Sequence, residues 1–502
     1  MNIKKKILVL YILFLPLFVR AQVSESYIIA DFTENELGTM LELCNKGGFG
    51  VLIQKTPFST YGHYLWNETF APQGAESVTR MVATAEKAGV RLGMWTRDDA
   101  ISADDAFFSS ENFKQFRREA KLKLYSDHDA NEITMALYRN EVFDKPSSLN
   151  LVLIDDEMVS YGTMEYSGGL ALLHRCTRGA YGTRAVGHSV DAEVYKILDG
   201  PERYVVPEGE LLDKVRKEFN GKRQYFPVFL RKGESGQNWI DETIRVNQVE
   251  RWEQENPSVT SLGWFLVHAS DKRRPSTSME DMEWMLSKVA CFHACYGLVI
   301  EPNAVTEHGM LGDLLETMSC WNRLIRADAF TERQCEILRN PYLDWHLEQQ
   351  DSIHYLLFSQ NFSRRFNCDL MEIDTGVLRS ETWIWNADEV GRFGLRIKVD
   401  GETEIINPMV NTSRGLVMFP CTIQPGQRLL YDFGETARVV DADYHIITEV
   451  TIEGLPEFDK GGNEVYFICE VDPEAQQRPL VTLRYITREQ PETITLETSP
   501  NK

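Results

Sequence analysis

Two acidic residues follow apolar, strand-like segments at places where a carboxylate could take part in general acid–base chemistry. Asp98 comes shortly after VRLGMWT, and Glu301 directly follows YGLVI. Cleavage of a glycosidic bond needs two carboxyl groups across the scissile bond, about 5 Å apart for retention of configuration and about 6.5–9.5 Å apart for inversion. Asp98 and Glu301 are therefore the candidate catalytic pair. The alternative for each is a helix cap or a solvated loop acid.

Other polar and aromatic residues follow the ends of predicted strands and could bind a substrate. They are Asp31, Lys55, His63, Tyr64, Trp66, Trp95, Arg231 and His268. Aromatic faces can stack on sugar rings, and His63 in STYGHYLWNE can hydrogen-bond hydroxyl groups. The alternatives are aromatic residues that only bury their loop, Lys55 paired with Asp31, and Arg231 paired with Glu234.

Basic and metal-binding patterns add little to these candidates. DKRRP (271–275) is basic within an acidic chain and could contact an acidic glycan, although such a loop is more often only solvated. Glu307 and His308 are adjacent but lack a third ligand at helical spacing, so we predict no metal site. No cofactor is predicted.

The segment CTRGAYGTRAVGH (176–188) combines a cysteine, a histidine and two glycines. A Cys/His nucleophile pair needs the two side chains within hydrogen-bond reach, and nothing in the spacing of Cys176 and His188 places them together. A phosphate loop would need a Lys-Ser/Thr pair that is absent. Turn chemistry fits better, with Glu157 or Asp156 of the upstream IDDEMVSYG as the expected partner of a nearby arginine.

These residues require a fold that brings strand ends together. Strand-like and helix-like segments alternate from residue 28 to 105, beginning with SYIIAD, ELGTMLELCNKGG and FGVLIQK. The same alternation returns with QYFPVFLRK, SLGWFLVHA and YGLVIEP. Alternating elements with nearly continuous apolar strands predict a parallel sheet covered by helices. We predict an α/β fold with a (β/α) TIM-type barrel, in which only six strands are identifiable and which could be incomplete.

Two further regions interrupt or follow this pattern. Residues 106–210 contain short alternating strands and predict an inserted antiparallel β module. Residues 346–502 are dominated by strands separated by turn residues every 8–12 positions or so, which predicts a C-terminal β-sandwich. The predicted barrel then consists of residues 22–105 and 211–345.

The N-terminal segment predicts export. MNIKKKILVLYILFLPLFVRA has three lysines, an apolar run and a small residue at Ala21, which is the pattern of a secretory signal peptide over residues 1–21. We therefore expect a secreted or periplasmic protein with no membrane segment after cleavage. The formal net charge of −22 becomes −26 when cleavage removes Lys4, Lys5, Lys6 and Arg20, and such a field disfavours nucleic acid as a partner.

A family resemblance is carried by LIDDEMVSYG, LLHRCTRGAYGTRAVGH and AEVYKIL, and by TPFSTYGHYLWNETFAPQGAESV, GVRLGMWTRDDAIS and SLGWFLVHASDKRRPSTSMEDMEWML. It continues through WNRLIRADAF, LDWHLEQ, IINPMV and LVMFPCTIQPGQRLLYDFG. Together these segments resemble a group of secreted, TIM-barrel, glycoside-hydrolase-like proteins of carbohydrate-degrading bacteria. The resemblance covers most of the chain after the signal segment, and it implies an exported protein that acts on glycans.

One departure from that group keeps an alternative open. GELLDKVRKEFNGKRQYFPVF leaves little room for a further strand with an acidic residue that members of the group carry. The leading prediction is a glycoside hydrolase or related polysaccharide-degrading enzyme with an oligo- or polysaccharide substrate. The first alternative is a non-catalytic glycan-binding protein on a degenerate barrel, and the second is a structural protein of the cell envelope. The sequence does not decide the oligomeric state.

Overall fold

The structure is a computed structural model, and it describes residues 25–145, 147–200, 203–221, 226–228, 242–255, 261–272, 274–363, 366–387 and 390–496. The predicted signal peptide (1–21) lies outside these residues. Arg231 and its predicted partner Glu234 also lie outside them.

The alternation predicted for the first hundred residues is confirmed. Its elements are β1 (Tyr27–Ala30), α1 (Leu37–Gly47), β2 (Val51–Gln54), α2 (Ala75–Lys87) and β3 (Arg91–Trp95). Helix α1 buries its predicted apolar positions, because the 3.6-residue repeat places them on one face. It ends at Gly48, whose left-handed φ of 70° suits a residue without a side chain.

The segment that follows is antiparallel, as its alternating pattern indicates. Its strands are β4 (Ile101–Ser102), β5 (Arg118–Lys123), β6 (Thr134–Tyr138), β7 (Leu151–Ile154), β8 (Glu157–Ser160), β9 (Thr163–Ser167), β10 (Leu170–His174), β11 (Glu193–Ile197), β12 (Asp199–Gly200) and β13 (Tyr204–Val205). They form sheets of order β6-β10-β9, β5-β11-β7-β8 and β12-β13-β4. The first two sheets share a hydrophobic core of their own, which includes Leu124, Leu137, Val152 and Leu173.

The α/β alternation resumes after this segment. Its elements are α3 (Gly209–Gly221), β14 (Phe226–Val228), α4 (Glu242–Glu255), β15 (Ser261–Val267), α5 (Met279–Cys291), β16 (Cys295–Ile300), α6 (Pro302–Glu307), α7 (Leu311–Arg326) and α8 (Glu332–Leu338). Ser278 caps α5, since its Oγ accepts a hydrogen bond from the backbone N–H of Asp281 at 3.2 Å. Almost every residue of α5 is buried, so this helix lies in the interior of the protein.

Six of these strands form one parallel sheet of order β14-β3-β2-β1-β16-β15. The steps β1 to β2, β2 to β3, β3 to β14 and β15 to β16 each move to the neighbouring strand in the same direction, and β16 lies beside β1. Because crossover connections are right-handed, steps in one direction place the connecting helices on the same face of the sheet. The opposite face carries a separate apolar cluster of Tyr27, Ile29, Val51, Ile53 and Val299.

This strand order is that of a barrel opened between β14 and β15. Within the described part of the chain those two strands have no sheet partner on their outer edges. The structure therefore shows a six-stranded parallel α/β sheet with the strand order of an opened barrel. Closure into a complete TIM-type barrel stays a prediction.

The C-terminal strands form two large antiparallel sheets. The strands are β17 (Asp344–Gln349), β18 (His354–Phe362), β19 (Phe366–Cys368), β20 (Leu370–Asp374), β21 (Val377–Ser380), β22 (Trp383–Ala387), β23 (Gly391–Arg392), β24 (Gly394–Asp400), β25 (Ile405–Thr412), β26 (Gly415–Met418), β27 (Thr422–Ile423), β28 (Arg428–Tyr431), β29 (Thr436–Val440), β30 (Ile446–Thr451), β31 (Glu457–Phe458), β32 (Gly461–Val465), β33 (Phe467–Glu470), β34 (Leu480–Arg488) and β35 (Glu492–Thr495). One sheet has nine strands, built on the order β17-β18-β34-β24-β28-β29-β30, and the other has six, built on β20-β21-β33-β25-β26. Residues of both sheets fill one core, which is the arrangement of a β-sandwich.

The nine-stranded sheet also packs on the α/β part of the protein. Its first strand, β17, contacts α5 and α7, and Tyr444 stacks on His308 with ring centroids 5.8 Å apart. Asp443 accepts hydrogen bonds from the backbone N–H and the hydroxyl of Ser270, which follows β15. The sandwich is thus anchored beside the carboxyl ends of β15 and β16. Among the described helices, none is long and apolar enough to cross a membrane.

Candidate active site at the carboxyl edge of the parallel sheet

The register of the parallel sheet brings predicted site residues together at its carboxyl edge. Ile29 pairs with Val299, and continuing this register by two residues beyond the strand ends aligns Asp31 with Glu301. Both strands alternate their side chains, and Ile29 and Val299 belong to the helix-free face. Asp31 and Glu301 therefore lie on that same face, just beyond the strand ends.

Extending the register of the other strand pairs in the same way aligns three more residues with Asp31 and Glu301. Ala30 pairs with Gln54 and Gln54 with Met94, which places Lys55 between Asp31 and Trp95. The backbone N–H of Lys55 donates to the carbonyl of Ala30 at 3.0 Å, so the ladder continues past the end of β2. On the other side, Val267 pairs with Ile300, which places His268 beside Glu301. These five residues form the edge row: Asp31, Lys55, Trp95, His268 and Glu301.

The two neighbouring carboxylates of the edge row have different partners. Asp31 is exposed and accepts hydrogen bonds from the Thr56 hydroxyl and from Gln54 Nε2, the latter at 3.4 Å. Glu301 is the extended residue before α6, and its Oε2 lies 3.4 Å from Nη2 of Arg274. Arg274 is held in place by Asp271, since the Arg274 Nε–Asp271 Oδ2 distance is 2.9 Å. The basic loop 271–275 thus contributes a cation to the predicted site.

Asp98, the other predicted catalytic acid, stands further along the edge. It follows β3, and its Oδ2 lies 3.7 Å from Nε of Arg216 on α3. Strands β3 and β16 are separated by β2 and β1, which corresponds to about 14 Å along the sheet at roughly 4.8 Å per strand. Asp31 and Glu301 follow directly adjacent strands, about 4.8 Å apart. The register therefore brings Asp31, rather than Asp98, next to Glu301.

The aromatic loop between β2 and α2 is well packed. Trp66 stacks on Phe58 with ring centroids 4.9 Å apart and keeps part of its surface exposed. His63 stacks on Phe107 at 3.9 Å, and its Nδ1 lies 2.8 Å from Oδ1 of the buried Asp105. His63 and Trp66 can therefore present a ring edge or face to a ligand while being held by their neighbours.

Tyr64 is buried inside the loop, which differs from the substrate-binding role predicted for it. Its side chain has no exposed surface, and its hydroxyl donates to the carbonyl of Arg97 at 2.6 Å. In this conformation Tyr64 supports the loop from inside and does not reach a ligand that enters from solvent.

The remaining predicted binding residues divide in the same way. Trp95 is partly exposed on the helix-free face and packs edge-on against Trp264, with centroids 5.5 Å apart. His268 is 4% exposed, and its Nδ1 lies 3.0 Å from the carbonyl of Ala269, so its ring is largely enclosed. Lys55 is partly exposed. Arg231 lies outside the described residues.

The segment 176–188 has a structural role. Glu157 has a fully buried side chain that binds Arg178 through two hydrogen bonds of 2.8 and 2.9 Å, which confirms the predicted acid–arginine pairing. It also accepts from the backbone N–H of Gly179 and lies 2.8 Å from Nε2 of His188. Burial raises the pKa of the Cys176 thiol to about 11, which disfavours a thiolate nucleophile.

Three residues at the edge escaped the sequence analysis because their contacts are distant in sequence. Arg216 reaches Asp98 from α3, and Asp443 reaches the loop after β15 from the sandwich. Arg274 lies in the basic loop that was noticed, but its approach to Glu301 depends on two separate strand ends. The one available signal was the basic loop directly after β15.

The described residues contain no group of three or more His, Cys, Asp or Glu side chains arranged to hold a metal ion. The edge row itself contains two carboxylates, one ammonium group, one imidazole and one indole ring.

Comparisons with known proteins give only distant likenesses. No protein-family model matches the chain, and no curated protein matches it. Among solved structures, the GH36 alpha-galactosidase AgaB of Geobacillus stearothermophilus is similar over 90% of this chain and 56% of its own, with 9% identity and a TM-score of 0.30. The chain thus spans about half the length of that enzyme.

Two further solved structures are similar over their whole length. The match to the alpha-amylase GTA of Geobacillus thermoleovorans covers 89% of this chain and 98% of the amylase chain. The match to the trehalose-6-phosphate hydrolase TreA of Bacillus licheniformis covers 89% of this chain and 100% of the hydrolase chain. Both have 8% identity and a TM-score of 0.31. Likenesses at this level carry no argument about reaction or substrate.

Proposed function

We propose that the protein binds and cleaves oligo- or polysaccharides at the carboxyl edge of the parallel sheet, with Glu301 as one of the two catalytic carboxylates. The observation that supports the proposal is the register of β1 and β16, in which Ile29 pairs with Val299 and which, continued by two residues, aligns Asp31 with Glu301. In parallel α/β barrels the reactive groups stand at this end of the strands.

The second carboxylate is Asp31 or Asp98, and the two choices predict different products. Neighbouring strands suit the separation of about 5 Å between carboxyl groups that accompanies retention of configuration. Asp98 follows β3, about 14 Å from β16 along the sheet, so it could serve in inversion only if the loop after β3 brings its carboxylate to within about 6.5–9.5 Å of Glu301. Lys55 and Trp95, in the same row, then border the sugar-binding surface together with Trp66.

Glycan binding without cleavage is the second candidate function. The observation that favours it is that both Asp98 and Glu301 lie near arginines, Arg216 and Arg274. Carboxylates held in place by arginines can act as fixed hydrogen-bond acceptors for sugar hydroxyl groups without transferring a proton. The aromatic loop would serve binding in either case.

A polysaccharide panel distinguishes these functions. Purified protein from residue 22 onward is incubated with plant and host polysaccharides, and reducing-end release and binding are measured together. Release that is lost in Glu301→Gln supports the enzyme, and the anomer of the first product identifies Asp31 or Asp98 as its partner. Binding without release that is lost in Trp66→Ala, but kept in the neighbouring Leu65→Ala, supports the binding protein.

We also propose export by the N-terminal segment. The sequence pattern of residues 1–21 supports it. N-terminal sequencing of the protein from an expressing bacterial cell should begin at Gln22, whereas a chain that begins at Met1 in the cytoplasm would contradict export.

A further inference from the structure

A cavity of about 570 Å³ lies between the amino end of α5 and the nine-stranded sheet. Its walls come from α5, from β17 and β18, and from β24, β28 and β34 of the sandwich. The volume lies in the range of small-molecule sites, which is roughly 300–1,000 Å³. The edge row is not part of its lining.

The walls carry charges of both signs in nearly equal number. Seven basic side chains face eight acidic ones: Arg245, Arg396, Lys398, Arg428, Arg438, Arg484 and Arg488, with Glu280, Asp281, Glu283, Asp313, Asp344, Glu348, Asp400 and Asp432. Such a balance leaves little net field, so neither an anion nor a cation is attracted strongly by the cavity as a whole.

Most of these charges are already paired with each other. Arg396 lies 3.0 Å from Glu280 and 2.6 Å from Asp432, and Arg245 lies 2.9 Å from Asp344. Bringing a further charge into this setting would cost desolvation. The paired groups still offer carboxylate lone pairs and guanidinium N–H groups side by side.

His346 extends the same network. It bridges Glu283 at 2.7 Å and Glu348 at 3.3 Å, and Arg488 lies 2.7 Å from Glu348. Although burial opposes it, the charge of Glu283 raises the pKa of His346 to about 9. The imidazolium form of His346 adds one positive charge to the seven basic side chains, which balances the eight acidic side chains of the lining.

One buried carboxylate oxygen of the cavity lining has no hydrogen-bond partner among the described residues. Asp281 is 3% exposed, and its Oδ2 accepts from the Ser278 hydroxyl at 2.9 Å, but its Oδ1 is buried with no hydrogen-bond partner in the structure. A buried carboxylate oxygen without a hydrogen-bond partner lowers the stability of the folded state. A hydroxyl group of a bound molecule would satisfy it.

We propose that this cavity binds a small, uncharged, polyhydroxylated molecule of mono- or disaccharide size. Asp281 would accept a hydrogen bond from one of the hydroxyl groups of that molecule. A hydroxyl both donates and accepts, so it matches a wall on which carboxylates and guanidinium groups alternate. The site is separate from the edge row, and it does not require the edge row to be catalytic.

The test measures binding to the full chain from residue 22 by titration calorimetry. The probes are D-glucose, D-galactose, maltose and lactose, with D-glucuronate and D-glucosamine as charged counterparts. The expected result is saturable binding of at least one neutral probe, stronger than that of either charged counterpart. Failure of all four neutral probes to bind, or preferential binding of glucuronate or glucosamine, overturns the proposal.

Variants locate the binding. Asp281→Asn should weaken binding tenfold or more, and Met279→Trp should abolish it by filling the cavity. Asp328→Asn is the matched control, because the side chain of Asp328 is 76% exposed and distant from the lining, and it should bind as the wild type does. Equal binding by Asp281→Asn and the wild type overturns the proposal even if Met279→Trp does not fold.

One further variant separates this site from the proposed function. Glu301→Gln removes a catalytic group of the edge row and should leave probe binding in the cavity unchanged. Loss of probe binding in Glu301→Gln would place the neutral sugar at the edge row and overturn the cavity assignment.

Discussion

Replacing Glu157 by glutamine should destabilise the antiparallel module by about 3–5 kcal/mol, which is the usual cost of removing one partner of a buried ion pair. The Glu157 carboxylate has no exposed surface, and the Arg178 side chain is 6% exposed. The change leaves the Arg178 guanidinium without its charged partner in the interior. The amide N–H₂ replaces one carboxylate oxygen, so it faces a donor, either the backbone N–H of Gly179 or that of Val186.

Hydrogen–deuterium exchange measures this effect locally. A loss of 3 kcal/mol corresponds to an opening that is more than 100-fold more populated, since each 1.4 kcal/mol is a factor of ten. We expect exchange in peptides covering β7, β8 and β11 to accelerate by that factor, because the three strands pair within one sheet.

Two controls make the interpretation specific. Glu165→Gln, on β9 of the same module, should change exchange little, because the Glu165 side chain is 63% exposed. Adding Arg178→Met to Glu157→Gln should restore part of the lost stability, since it removes the unpaired charge. Wild-type exchange in Glu157→Gln would refute the assignment of segment 176–188 to a structural role.

Three further predictions address other parts of the molecule. Burial raises the pKa of Asp281 to about 7, so the stability that its protonated form contributes is complete below about pH 4 and is lost as the pH rises through 7. Asp281→Asn should therefore match the wild type in urea unfolding near pH 4 and exceed it by up to about 4 kcal/mol at pH 8; a difference that does not vary with pH would contradict this. Asp105→Ala removes the acceptor of the His63 and Phe107 backbone N–H groups, and exchange in the 58–70 loop should rise about tenfold or more, while unchanged exchange would argue against its anchoring role. All nine cysteines are thiols in the structure, so nine thiols should titrate in denaturant without reductant, and fewer would reveal a disulfide.

Much of the fold follows from local sequence patterns. The apolar spacing of α1 and the Ser278 cap of α5 each specify an element without reference to the rest of the chain. Strand β17 was not predicted, because LDWHLEQ has polar residues at positions that turn out to be buried. Asp344 is buried beside Arg245, and His346 lies beside Glu283, so partners distant in sequence make these positions tolerable.

The candidate site shows the same division. Residues directly after apolar strands were found from the sequence alone, because parallel strands end at a common edge. Which of them are neighbours depends on strand order, and the sequence does not state that β16 lies beside β1. For this reason Asp98 was selected as the partner of Glu301, while the register brings Asp31 next to it.

The most direct test of the central claim compares sugar release by the wild type, Glu301→Gln and Glu307→Gln on one substrate from the panel. Glu307 is exposed at the end of α6, the helix that begins directly after Glu301, and provides a matched change six residues away. The account predicts that Glu301→Gln lowers kcat by a factor of about 100 or more, as expected for loss of a general acid–base group, while Glu307→Gln keeps wild-type activity and both variants stay folded. Wild-type kcat in Glu301→Gln would contradict the assignment of the carboxyl edge as the catalytic site.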